Sequence, residues 1–404
     1  MSKKLYFLLT VLLLAAMLVA VAGCGGGPAA DPGDDTDTGD VIDDGDDIVV
    51  DEDAIVIGAI FPLTGAIATY GQSSKESVDL AVEQVNAAGG LLGKEVQVIY
   101  MDNKSTAPES ALAAEKLIGA GVVAIIGPVA SSNTLAAAPL AQDAGIPEIS
   151  PTSTAEAVTE VGDYIFRACF IDPFQGYVGA KFALDDLGSR TAAVLFDTGS
   201  DYSRGLYEVF EEVFTAGGGE VVYVGEFVDT DQDFSAILTA VKAQNPDVVY
   251  IPSYYETAGS ILKQADELEI DADFIGSDGW DSPGLFDIAG DAANGGFFTN
   301  HYSPDASTPE LDAYLAAYAE AYDGKVPDAL AALAFDGANL LFDAIERAGV
   351  AEPSAIRDAL AETAGFVGVS GTITYDEMRN PVKSAVIIEI VDQAQVYRTT
   401  VEPN

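Results

Sequence analysis

Strand-length apolar runs alternate with helix-period segments from residue 54 almost to the end of the chain, and this alternation restricts the fold more than any other feature. The runs at 54–61, 95–101, 122–126, 191–196, 220–227, 247–251 and 273–275 have the length of strands. Between them, Val78, Ala81, Val82 and Val85 repeat at helical spacing. So do Leu206, Val209, Phe210, Val213 and Phe214, and further on Leu311, Tyr314, Leu315 and Tyr318. Strand, helix and strand in series predict an α/β fold of parallel sheets with helices on both faces. The roughly 350 residues involved exceed a comfortable single core and suit two lobes.

In such folds ligands sit outside the carboxyl ends of the strands, where helix N-termini also point. The segments to read are therefore those that follow strands, at 62–71, 127–133, 150–154, 197–202, 253–256 and 276–280. They are rich in Ser, Thr, Tyr, Asp and Asn. That composition suits a polar pocket with aromatic walls.

Charge and residue inventory exclude several functions. The chain holds 18 Lys and Arg against 65 Asp and Glu, a formal charge of −47. Such a field repels nucleic acid and anionic headgroups, so no nucleic-acid partner is expected. His301 is the only histidine and no G-x-S-x-G motif occurs, so a Ser or Cys nucleophile would lack its usual base. Zinc ligands are missing, and Gly89-Gly90-Leu91-Leu92-Gly93-Lys94 fails as a phosphate loop because Ala88 and Glu95 occupy its outer positions. It reads as a helix stop and turn. No catalytic residue, metal or cofactor is assigned, and the chain is not expected to be an enzyme.

The N-terminal segments set the compartment. Lys3 and Lys4 precede an apolar run at 5–22, the order of a secretory signal. Val21-Ala22-Gly23-Cys24 resembles a bacterial lipobox, which implies a signal peptide over 1–23 and a lipid on Cys24. Residues 24–53 carry twelve acidic residues and no basic one, and read as a self-repelling, disordered leash. Cys169 is then alone, on an apolar strand, and no internal disulfide can form. The expected location is extracytoplasmic, tethered by lipid to the outer face of the cell membrane.

Four stretches resemble the leucine/isoleucine/valine-binding protein family, type 1 periplasmic binding proteins that serve ABC transporters. They are Ile57-Gly58-Ala59-Ile60-Phe61-Pro62-Leu63-Thr64-Gly65, Gly127-Pro128 with Ser131-Ser132, Ile146-Pro147 with Ile149-Ser150-Pro151, and Phe166-Arg167 with Asp172-Pro173 and Gln175-Gly176. The resemblance implies two similar doubly wound lobes joined by three crossover strands. By this likeness 54–171 plus 301–375 form the N-terminal lobe and 172–300 plus 376–404 the C-terminal lobe.

The resemblance also implies a ligand site. Ser131 matches the family's carboxylate-binding serine, and it opens a helix whose free N–H groups favour an anion; a plain helix cap is the alternative. Thr152, Ser153 and Thr154 lie on the strand end whose backbone and hydroxyls hold carboxylate and ammonium. Asp278 falls where the family places the acid that receives the ammonium, although some relatives have Glu there. Tyr202 and Tyr254 match the tyrosines that close over the ligand, and Tyr70 would wall its side chain. Trp280 is either a further wall or a core residue. The implied function is delivery of a small, neutral, branched-chain or related amino acid to an ABC permease and ATPase complex by a monomer. The alternative is a sensor, or a carrier of amides, ureas or aromatic acids, on the same fold.

Overall fold

A computed structural model describes residues 41–42, 50–51 and 53–403. The signal segment, Cys24 and most of the acidic leash lie outside the described residues. Two sheets organise the rest. The first has the order β1-β3-β2-β4-β5-β6, with β1 at Val41–Ile42, β2 at Ile55–Phe61, β3 at Val96–Asp102, β4 at Ile125–Ile126, β5 at Glu148–Ser150 and β6 at Ile165–Arg167. All of its pairings are parallel. Every residue of β2 is buried, as expected of a strand with helices over both faces.

The second sheet begins with β7 at Thr191–Asp197, β8 at Glu220–Phe227, β9 at Val248–Ile251, β10 at Asp273–Gly276 and β11 at Phe297–Asn300. A small hairpin, β12 at Phe366–Gly368 and β13 at Gly371–Ile373, stands apart. The sheet is completed by β14 at Ala385–Val391 and β15 at Ala394–Val401, in the order β15-β14-β11-β10-β9-β7-β8. Here the structure departs from an all-parallel expectation, because β14 runs antiparallel to β11 and β15 antiparallel to β14. Asp392 and Gln393 both have positive φ, the conformation of a two-residue hairpin turn that matches strand twist. The chain passes between the sheets after β6, leaves the second sheet again after β11, and returns to it at β14.

Local chemistry explains the smaller departures. Only Ile125–Ile126 of the run at 122–126 forms a strand, because Gly121 ends the helix Ala107–Ala120 in a left-handed turn directly before it. Cys169 is buried and free but is not on a strand, since β6 ends at Arg167 and the chain then turns towards the helix Asp172–Lys181. Gly89, Gly90 and Gly93 all adopt positive φ in a turn closed by the Leu91 to Lys94 pair, as a helix stop requires.

Register fixes what emerges together. Ile126 is level with Ile149, so the segments carrying Ser131 and Thr152 leave side by side. Ile251 is level with Gly276, so those carrying Tyr254 and Asp278 do the same.

A pair of acids, Asp281 buried and Asp328 half-buried, lies close to these strand ends. Asp328 caps the helix Ala329–Ala348 by accepting from the Ala331 N–H at 2.7 Å, and also accepts from Ser73 at 3.1 Å. Asp281 accepts from Asn300 and from the Ala329 N–H, both at 2.8 Å. Burial raises both carboxyls, and Asp281 pushes Asp328 further, up to about 8.

Two predictions follow from this packing. Gly127 sits at φ +98°, and a Cβ there would meet the Ile60 carbonyl oxygen at 2.2 Å. Gly127→Ala should therefore lower unfolding free energy by more than about 2 kcal/mol in urea titration. The Asp328 carboxyl binds its proton more tightly folded than in the unfolded chain, where it titrates near 3.9. Its contribution to stability is full below about pH 4 and is lost as pH rises through about 8. Urea midpoints across that range should decline less in Asp328→Asn, which keeps a capping side chain.

Candidate functional site

The first wall is built from the ends of β4 and β5. The helix Ser131–Ala144 is preceded by Ala130, which has no side chain to cap it, so its first N–H groups are not covered by a cap. Ser131 is thus inside the first turn and is not the cap. Its Oγ accepts from the Ala155 N–H at 3.2 Å, which leaves the hydroxyl proton to be donated elsewhere. Thr152 Oγ1 donates to the Val129 carbonyl at 2.8 Å.

The loop after β5 is braced from behind. Arg167 is fully buried and donates to the Ser153 carbonyl at 2.7 Å, the Ala155 carbonyl at 2.9 Å and Thr159 Oγ1 at 3.2 Å. Burial lowers its pKa from the usual guanidinium range.

The opposite wall comes from the ends of β7, β9 and β10. Tyr202 lies in the first turn of Asp201–Ala216, a helix capped by Ser200. Its hydroxyl is 2.6 Å from both Asp278 Oδ1 and Ser277 Oγ, and accepts from the Gly279 N–H at 3.0 Å. A phenol has one proton, which belongs on the carboxylate side, and the serine can donate in return. Tyr254 stacks on Tyr202 with ring centres 5.1 Å apart and planes 7° apart. Burial raises the pKa of both phenols, and the Asp278 charge adds to the rise, so both remain donors. Asp278 is held again at its backbone, where its N–H donates to Gln175 Oε1 at 2.9 Å.

The two walls meet around one narrow cavity. Ser131, Thr152, Tyr202, Tyr254, Asp278 and Tyr70, six of the eight residues singled out in the sequence, line it. Tyr70 is fully buried, donates to the Gly279 carbonyl, and packs edge-on to Tyr254 at 6.1 Å and to Tyr255 at 5.1 Å. Ser153 and Thr154 stand outside the lining. The Ser153 hydroxyl is taken by the Val129 carbonyl at 3.0 Å and Thr134 Oγ1 at 2.7 Å. Thr154 is buried, faces the Asp172 carboxylate, and makes no hydrogen bond of standard geometry.

Three lining residues escaped sequence reasoning: Val129, Gly279 and Leu330. Leu330 opens a helix 200 positions beyond Ala130, and no local pattern distinguishes it from a core leucine. Trp280 is core. Its Nε1 donates to the Ile251 carbonyl at 3.1 Å, and its indole fills the space left by the missing side chain of Gly276.

Chemically the cavity offers a hydroxyl donor at the start of a helix on one side and a carboxylate on the other. A small molecule with an anionic end and a cationic end matches both. Among the described residues no cluster of His, Cys, Asp or Glu is placed to hold a metal ion.

Known proteins share this sequence pattern and fold. Residues 54–395 match the periplasmic binding protein family model. A Leu/Ile/Val-binding protein of Rhizobium johnstonii is 33% identical over 325 residues, which are 80% of this chain and 88% of that protein. A leucine-binding protein of Thermotoga maritima superposes with a TM-score of 0.84 at 38% identity, covering 87% of this chain and 99% of its own. A branched-chain amino acid transporter substrate-binding protein of Streptococcus pneumoniae, solved with isoleucine, gives 0.83 at 34% identity, covering 87% and 100%. The chain therefore belongs to the leucine/isoleucine/valine-binding group of the periplasmic binding protein family, whose members bind solutes and do not transform them.

Proposed function

We propose that this chain captures a small neutral α-amino acid of branched-chain type outside the cytoplasm and delivers it to an ABC permease and ATPase complex. One observation carries the reading: Ser131 at a helix start and Asp278 line the same cavity. In this reading the ligand carboxylate takes the Ser131 hydroxyl and the first-turn N–H groups, as anions at helix N-termini do. The ammonium goes to Asp278. Tyr70, Val129, Tyr254 and Leu330 surround the side chain, and none carries a charge to pair with a second ligand carboxylate.

Delivery requires opening. The proposed lobes, 54–171 with 301–375 and 172–300 with 376–404, would close by a hinge at the segments where the chain passes between the sheets. A ligand touching both walls favours closure by its differential affinity for the closed form. Cys24 is proposed as the lipid attachment and the acidic segment after it as the tether.

Two experiments test this reading. Asp278→Ala should weaken leucine binding by about 2–5 kcal/mol in calorimetry, since it removes the partner of an ammonium in a closed cleft. Undiminished affinity would sink the zwitterion assignment. Cys24→Ala, expressed in a bacterium that processes lipoproteins, should move the protein from the membrane pellet to the soluble fraction.

A further inference from the structure

The lone imidazole of the chain stands directly behind the acid of the site. His301 follows the last residue of β11, at the point where the chain leaves the second sheet. Its backbone N–H donates to Asn300 Oδ1 at 2.8 Å, which fixes the start of the departing segment. Its ring is buried, with Nε2 2.8 Å from Asp278 Oδ2. The ring stacks on Phe170, centres 3.8 Å apart and planes 26° apart. Phe170 lies in the other direction of crossing, between β6 and the helix Asp172–Lys181.

Nδ1 of His301 is buried and has no hydrogen-bond partner. A neutral ring therefore serves the site in one tautomer, with the proton on Nε2 and donated to the carboxylate. Burial holds the imidazole pKa below its ordinary value against the pull of Asp278 and Asp281, and Lys383 on a neighbouring segment lowers it further. Protonation would place an unpaired N–H at Nδ1 inside the protein, which is unfavourable.

Asp278 thus has a donor on each oxygen: Tyr202 on Oδ1 and His301 on Oδ2. Two anchors fix the plane of a carboxylate, and each oxygen keeps a further acceptor position. We propose that His301 is the positioning residue of the site, holding the Asp278 carboxylate in the plane that presents its free acceptor positions to the ligand. The proposal rests on the reading of Asp278 as the ammonium acceptor. It adds that this acceptor is set from the crossing segments, because the stacked His301 and Phe170 rings belong to the stretches that join the two sheets. An acceptor oriented in this way is fully formed only when those stretches are aligned.

A single histidine allows a direct test. Nitrogen-15 spectra of histidine-labelled, ligand-free protein should show a neutral Nε2–H ring that persists below about pH 6, where a free imidazole is mostly charged. Asp278→Ala should expose the Nε2 proton to fast exchange. An Nδ1–H ring, or a spectrum that Asp278→Ala leaves unchanged, would overturn the proposal without reference to any ligand. The second arm is leucine titration. His301→Phe keeps the stack on Phe170 and removes the donor, and should weaken leucine binding about ten-fold or more. His301→Gln restores an N–H donor and should recover most of the loss. Equal affinity in wild type and His301→Phe, or equal loss in both variants, would show a packing role only. If wild-type protein binds no leucine, the amino-acid reading fails, and the ligand-free spectra still decide the His301 to Asp278 contact.

Discussion

A carboxylate withdrawn from water must be met by hydrogen-bond donors, and the Asp278 carboxylate organises the second wall of the cavity around that requirement. Tyr202 supplies one donor and His301 the other. Tyr202 is itself located by the Gly279 N–H and by its stack on Tyr254, so two tyrosines from different helices are set by one acid. The backbone beneath is tied by Gln175, which accepts from both the Asp278 N–H and Thr299 Oγ1, at 2.9 and 2.7 Å. The ring positions that shape the cavity are therefore consequences of satisfying a single buried charge-bearing group.

The opposing wall is built on carbonyl groups in place of an acid. Pro128 and Val129 accept from Ser150, Thr152 and Ser153, and Arg167 gathers the carbonyls of the following turn. These side chains are spent on structure, which leaves Ser131 as the cavity-lining hydroxyl of this wall whose proton is uncommitted. The proposed ligand orientation uses this asymmetry, with the Ser131 hydroxyl donor on one wall and the Asp278 acceptor on the other.

Contacts between the walls include several hydrogen bonds beside the Tyr70 ring contacts with Tyr254 and Tyr255. Thr69 meets Ser282 at 2.8 Å, Ser132 meets Asp201 at 3.0 Å, Tyr255 donates to the Ala66 carbonyl at 3.1 Å, and Tyr70 donates to the Gly279 carbonyl. Each such bond contributes only about 1 kcal/mol net, because water can replace it. One buried apolar cluster takes in Ile57 and Ile149 of the first sheet, Leu195 and Ile251 of the second, and Tyr70 and Leu330 of the cavity.

The sequence marked seven of the strands, β2–β4 and β7–β10, because apolar period and strand length are local properties; β8 falls on its expected bounds, 220–227, without change. It also determined which loops to inspect, since the position of a segment after a strand follows from order alone. Family resemblance then named Ser131, Tyr202, Tyr254 and Asp278, and these converge. Tertiary structure alone decided where side chains point. Ser153 and Thr154 share a strand end with Thr152 yet stand outside the cavity: the Val129 carbonyl and Thr134 take the Ser153 hydroxyl, and Thr154 faces Asp172. Leu330 and His301 join the site from distant parts of the chain, and only the crossings between sheets bring them there. Composition marked His301 as unsuited to catalysis; its placement beside Asp278 arises from packing, which no local pattern encodes.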